Sequence, residues 1–209
     1  MCIKAIKQHD YDNEFSFDAL RMAVQRAIQQ VYEKEWSLLV DKQIIECAVA
    51  AQLFYYIKQD EMFKGFDVDS EYNKMLRGQI YSRGQLLKRI NELDDNGHLT
   101  IVRPDIIIHQ RGPKGKRVLW IEVKLAWGDT PAYDIKKIIA ITNPFDPSAE
   151  YVTGYSYGLS IVLGDTNGHC VWIFSGNHKI GIRQCFNVEI IDNRRALKWG
   201  QEYESPLLK

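Results

Sequence analysis

The sequence has no surplus of either charge. Its 27 lysines and arginines are matched by 27 aspartates and glutamates over 209 residues, so the whole-chain field predicts no partner. Any attraction for a polyanion must come from local clusters. Cysteine is scarce. Cys2, Cys47, Cys170 and Cys185 are widely spread and form no CxxC pair, which reads as reduced thiols rather than a disulfide framework. His9, His98, His109, His169 and His178 show neither HxH nor HExxH spacing, which argues against a zinc site. No Ser/His/Asp or Cys/His arrangement offers a covalent nucleophile. The longest apolar stretch, "AVAAQLFYYI", has ten residues and includes Gln52, too short to cross a bilayer. The first fifteen residues are studded with charge, unlike a signal peptide. These absences predict a cytoplasmic protein with no membrane partner.

Repeats, low-complexity tracts and Pro/Gly/Ser linkers are missing too. A length of 209 residues, 45% of them hydrophobic and 26% charged, then predicts one domain over 1–209 with a real core. Along it, "DALRMAVQRAIQQVYE" (18–33) places Leu20, Val24, Ala27, Ile28 and Val31 on one helical face, with Ser16 or Asp18 as cap. Residues 41–58 begin at an Asp41 cap and are apolar on nearly every side, the pattern of a buried helix. "GFDVDSEYN" alternates as a strand, with Asp67 and Asp69 facing water and Glu71 at its end. Residues 74–97 have the mixed character of an insertion, with "GQLLKRINEL" helical inside it.

"HLTIVRPDIIIH" and "RVLWIEVKLA" follow as a strand pair around a glycine- and lysine-rich turn. "AYDIKKIIAIT" is a helix stopped by "NPFDP". "GYSYGLSIVLG" and "HCVWIFSG" are strands, and "RQCFNVEII" is the last one. The order of elements predicts an α/β (α+β) fold, a central mixed β-sheet flanked by α-helices.

The hairpin carries chemistry that its packing does not need. If the turn "GPKG" is centred between Pro113 and Lys114, facing residues have numbers that sum to 227, as Asp105 and Glu122 do. Their β-carbons would then stand roughly 4.5–5.5 Å apart. Lys124 shares their face by the period of two, while Ile106, Ile108, Ile121 and Val123 fill the other. Two carboxylates about 4 Å apart at an effective dielectric near 20 repel by about 4 kcal/mol. A protonated carboxyl, Lys124 as counter-ion, or a divalent cation such as Mg²⁺ or Mn²⁺ would each relieve this. Glu46, among Ile44, Ile45, Cys47 and Val49, is a second acid in apolar surroundings that calls for a partner. His109 lies four residues from Asp105, roughly 13 Å along the strand, and reads as structural.

Pro104-Asp105 followed by Glu122-Val123-Lys124 on the next strand resembles the signature of the PD-(D/E)XK nuclease superfamily. The resemblance spans about residues 40–165. It takes in the Glu46 helix, the "EYN" of Glu71-Tyr72-Asn73 and the "DIKK" helix. The phrase "RPDIIIHQRG…LWIEVK" is similar to short, free-standing bacterial and phage members. The resemblance implies a restriction-endonuclease-like core, at about 40–175 here, and divalent-metal-dependent hydrolysis of a phosphodiester, of DNA before RNA. It makes Asp105, Glu122, Glu46 and the carbonyl of Val123 the metal ligands and Lys124 the catalytic lysine. Glu71 and Lys137 are additional candidates. Arg111, Lys114, Lys116 and Arg117 around the turn, with Lys136 and Lys137 on the next helix, are candidate nucleic-acid contacts. A homodimer or a partner protein would supply specificity, because no separate DNA-reading module is visible. The alternatives are a non-catalytic module of the same fold that binds nucleic acid or protein, and an interaction protein whose hairpin is an ion-paired edge.

Overall fold

The computed structural model describes residues 16–70, 74–75, 86–87, 89–93, 99–101, 103–111, 115–128, 130–144 and 154–207. Its first helix, α1 (Phe17–Lys34), is the one the periodicity predicts. Ser16 caps it by accepting from Ala19 N at 3.2 Å, and Leu20, Val24, Ala27, Ile28 and Val31 are buried. A short α2 (Trp36–Val40) leads to α3 (Glu46–Gln59). Here the expectation fails in two ways. Asp41 does not cap the helix: its carboxylate takes Gln43 N at 2.9 Å in a local turn, and α3 starts five residues later behind Ile45. Nor is α3 buried all round. Val49, Ala50, Leu53 and Ile57 form its buried stripe, while Tyr55 is half exposed.

Seven strands form the main sheet: β1 (Asp67–Ser70), β6 (Ile106–His109), β7 (Arg117–Leu125), β8 (Tyr157–Leu163), β9 (Asn167–Phe174), β10 (Asn177–Ile191) and β11 (Arg194–Pro206), hydrogen-bonded in that order. Only β7 and β8 run parallel, and α4 (Ala132–Ile141) is the crossover a parallel pair needs. The sheet is therefore mixed and mostly antiparallel. On one face, α1 and α3 pack against Ile106, Ile108, Ile121, Val123 and Leu159. On the other, Ile135, Ile138 and Ile141 of α4 pack against Ile107, Trp120, Val171 and Ile173. Cover on both faces explains why β7 is buried almost throughout, with no alternation between core and solvent.

Where the expected helix over 84–93 is described, it is strand: β3 (Leu86–Leu87) pairs with β2 (Lys74–Met75), and β4 (Arg89–Leu93) pairs with β5 (Leu99–Ile101). Leu99–Ile101 and Ile106–His109, expected as one strand, are accordingly two strands in different sheets. β11 is a strand that the sequence pattern does not predict. It follows β10 through the two-residue turn Asp192–Asn193, both at positive φ (50° and 60°), the type I′ geometry that matches strand twist. Among the described residues, no helix is long and apolar enough to cross a membrane.

Candidate functional site

The register that places the acids is observed. Ile106 faces Ile121, Ile107 faces Trp120 and Ile108 faces Leu119. Continuing by one residue sets Asp105, at the bend before β6, opposite Glu122. β7 runs on past this point, so its Val123 and Leu125 N–H groups on that side have no strand partner. Asp105 Oδ2 accepts from Val123 N at 2.7 Å, and Glu46 Oε1 takes Leu125 N at 3.4 Å. The two donors are two strand rises apart, roughly 7 Å. Glu46 can reach because it opens α3, where a carboxylate also suits the helix dipole. Room for it comes from Gly128, whose place a β-carbon would fill 2.6 Å from Glu46 Oε1.

Two lysines bind this acidic group together. Lys124 Nζ donates to Glu46 Oε2 at 2.7 Å and stands 3.4 Å from Asp134 Oδ2, within ion-pair range but without a hydrogen bond. Lys137 Nζ donates to Glu122 Oε2 at 2.8 Å and pairs with Asp134 Oδ1 at 2.7 Å. Glu122 is 3% exposed, and its Oε1 accepts from Trp120 Nε1 at 2.6 Å. Glu46, Asp105, Glu122 and Asp134 are thus four carboxylates against two ammoniums.

The electrostatics follow from burial. Burial pushes the Glu122 carboxyl up to about 8; Lys137 works against this, and Asp105 adds to it. Trp120 and Lys137 each donate to a different one of its oxygens. Burial also raises Asp105, with the Val123 N–H opposing. For Lys124 and Lys137 burial disfavours the charge, but their acidic partners outweigh it and hold both ammoniums above the ordinary lysine value.

A stability profile tests this. An acid whose pKa rises on folding binds its proton more tightly in the native state, so stability falls as pH climbs from the unfolded value towards the folded one. His169, pushed down to about 4 by burial and then Arg183, acts in the opposite direction, but only below its ordinary 6.5. Between pH 6.5 and 8 the metal-free protein is therefore expected to lose up to about 2 kcal/mol. Glu122→Gln should flatten that slope in denaturant titrations; an unchanged slope would refute the assignment.

Sequence reasoning missed Asp134 and Trp120. Asp134 stands four and seven residues before Ile138 and Ile141, so it lies on the core-facing stripe of α4, where an acid is conspicuous. Trp120 precedes Glu122 by two on one strand face. The other candidates are spread out. Asp67 and Asp69 do not simply face water: Asp69 binds His109 Nε2 at 2.8 Å and Arg111 at 2.6 Å, and Asp67 takes Arg111 N at 2.9 Å. Both contacts lower the Asp69 carboxyl against the burial that would raise it. Lys116 and Lys136 are exposed; Arg117 is half-buried, and burial lowers its pKa. Glu71 and Lys114 lie outside the described residues.

Among the described residues, no three histidine, cysteine or acidic side chains are grouped as a metal would need. The carboxylates are instead held by backbone, indole and lysine donors, with Lys137 shared between Glu122 and Asp134. No family model matches the chain, and neither a curated protein nor a solved structure matches it.

Proposed function

We propose that the protein is a divalent-metal-dependent nuclease, acting on DNA before RNA, with Asp105, Glu122, Glu46 and Lys124 as its centre. The observation that carries the reading is the grouping itself: four carboxyl groups share two ammoniums in a largely buried site, more acid than the lysines can balance once all are ionised. Buried charge without a partner is expensive, and one Mg²⁺ or Mn²⁺ would balance it. The oxygen donors suit such an ion. Asp105, Glu122 and the Val123 carbonyl would hold it, with Glu46 completing the shell, once these carboxylates leave the donors that now hold them. A bound ion would lower the pKa of a coordinated water and offset charge building on a phosphodiester.

The chain's own residues would do the rest. Lys124, a compact cation with rotatable donors, orients the attacking water or stabilises the oxygens that gain charge. Asp134 and Glu46 hold that ammonium charged and aimed. Lys137 steadies Glu122. The order helix, strand, hairpin, helix, parallel strand over α3, β1, β6–β7, α4 and β8 is the one a restriction-endonuclease-like core would have, and β7 lies inside the sheet rather than on an ion-paired edge.

The second reading, a non-cutting module of the same fold, is favoured by one observation: Asp105, Glu122 and Glu46 each already have a donor. Calorimetric titration with Mg²⁺ separates the two, since no heat at millimolar metal would support the module. The primary test is cleavage of linear, circular and single-stranded DNA, and of RNA, with Mg²⁺, Mn²⁺ and Ca²⁺. Any substrate requiring two cuts would need a homodimer or partner protein. A smaller effect probes Glu46 without removing it. Gly128→Ala should displace its carboxylate and slow cleavage about tenfold, the loss of one aimed interaction of about 1.4 kcal/mol, with an unfolding midpoint within a few degrees of the parent.

A further inference from the structure

A cavity of about 590 Å³ opens beside this centre, between the 41–45 loop, the first turn of α3 and the 125–128 turn after β7. Its volume falls in the range of small-ligand sites. Glu46 is common to both: it lines the cavity and holds Lys124 Nζ. Whatever occupies the cavity is therefore one side chain away from the proposed chemistry.

The walls divide by character. Ile44, Ile45 and the half-buried indole of Trp127 supply apolar surface. Ile45 is 67% exposed, so its side chain is open to a ligand at the helix start. Lys42 and Gln43 are exposed and supply a cation and a carboxamide. Glu46 makes the inner wall unfavourable for an anion, while Lys42 favours one. A ligand with a flat, neutral, hydrogen-bonding body and a negatively charged tail fits this division.

The geometry points to a subsite for one unstacked nucleobase of a single strand, lying against Trp127 and Ile45 with the adjoining phosphate towards Lys42. This rests on the nuclease reading and names the substrate form: a base inside a duplex is stacked on both sides and cannot enter, so the protein would prefer single-stranded regions. Base–aromatic stacking tolerates any base, so little sequence preference is expected from this subsite.

Binding is measured by anisotropy of labelled 12-mer single strands, DNA and RNA, and of a blunt duplex, in EDTA so that no cleavage intervenes. A 2-aminopurine in the strand reports stacking. The parent is expected to quench 2-aminopurine emission and to bind single strands more tightly than the duplex. Trp127→Ala should weaken single-strand binding about tenfold, the loss of one stacked base, leaving duplex binding unchanged. Because Trp127 packs partly against the core, the exposed position is tested as well: Ile45→Asp should weaken single-strand binding by a similar factor. Parental single-strand affinity in both variants, or equal losses on duplex, overturns the subsite. Cleavage that depends on Asp105 but ignores Trp127 and Ile45 sinks the subsite and leaves the nuclease. Trp127-dependent binding with no cleavage under any metal does the reverse.

Discussion

Lys124→Ala is expected to retain the parental fold and lose at least about a hundredfold in single-turnover cleavage rate, the usual effect of removing one transition-state stabilising group. Asp105→Ala should lose more, about a thousandfold or beyond, because it removes an oxygen donor and frees the Val123 N–H. The fold survives because the pairs lie at a strand end rather than at the centre of the core. The Lys124 side chain is 19% exposed and its partner Glu46 31%, so water can reach the abandoned carboxylate. Asp134 keeps Lys137 at 2.7 Å. Lys124→Arg should not rescue the rate, since a planar fork cannot take the place of an ammonium that meets Glu46 and Asp134 from one point. Circular dichroism melts beside the rates make the test sharp. A fully active Lys124→Ala protein refutes the mechanism. A parent that binds DNA but cuts no substrate with any metal supports the non-cutting module instead.

That this site was legible in the chain is instructive, because the turn used to count the register is not what sets it. His109 faces Arg117, a pair one out of step with Ile106 and Ile121, and the strands are irregular between Ile108 and His109. The count from the turn still lands on Asp105 and Glu122. The reason is that slipping by one residue would carry Ile106, Ile108, Ile121 and Val123 to the opposite face, and the helices fix which face takes them. Hydrophobic pattern decides the register.

Where that pattern is diluted, the sequence misleads. In β11 the residues alternate only weakly, because its contacts with α1 are largely polar: Leu197 N donates to Gln29 Oε1, Gln29 Nε2 donates to the Arg195 carbonyl, and Arg21 pairs with Glu202. Leu197 and Trp199, which pack against the core, are too short an apolar stretch to mark the whole strand. In "GQLLKRINEL" the local helical period is real, yet pairing with Leu99–Ile101 overrides it. For Asp134 the apolar stripe marks an acid out of place but not its partners. Its value lies in bridging Lys124 and Lys137, and a bridge between a strand and a helix is visible only once both are packed.

That packing depends on one residue, and Gly158→Ala is expected to damage stability and activity together. Gly158 faces Trp120 across β8 and β7, and Ile138 and Thr142 of the α4 end lie against it. An added β-carbon would overlap the Ile138 γ2 methyl and come within 3.1 Å of Thr142 Cγ2. Ile138 cannot swing aside: it is fully buried, and a β-branched side chain in a helix has one strongly preferred χ1. Thr142 is tied down by its hydroxyl, which donates to the Ile138 carbonyl at 2.8 Å. The helix itself must therefore lift. Overpacking of this kind costs about 1–3 kcal/mol, a fall in melting temperature of about 2–12 °C for a chain of this length. Lifting α4 also draws Lys137 from Glu122 and Asp134 from Lys124, so the cleavage rate should fall even in protein that remains folded. A double-mutant cycle identifies the cause. Ile138→Ala alone costs about 2–5 kcal/mol through its cavity, but it vacates the space the new methyl needs. Adding Gly158→Ala to it should then cost at least 1 kcal/mol less than in the parent. Additive losses would mean that the helix never rested on Gly158, and the coupling of α4 to the site would have to be abandoned with it.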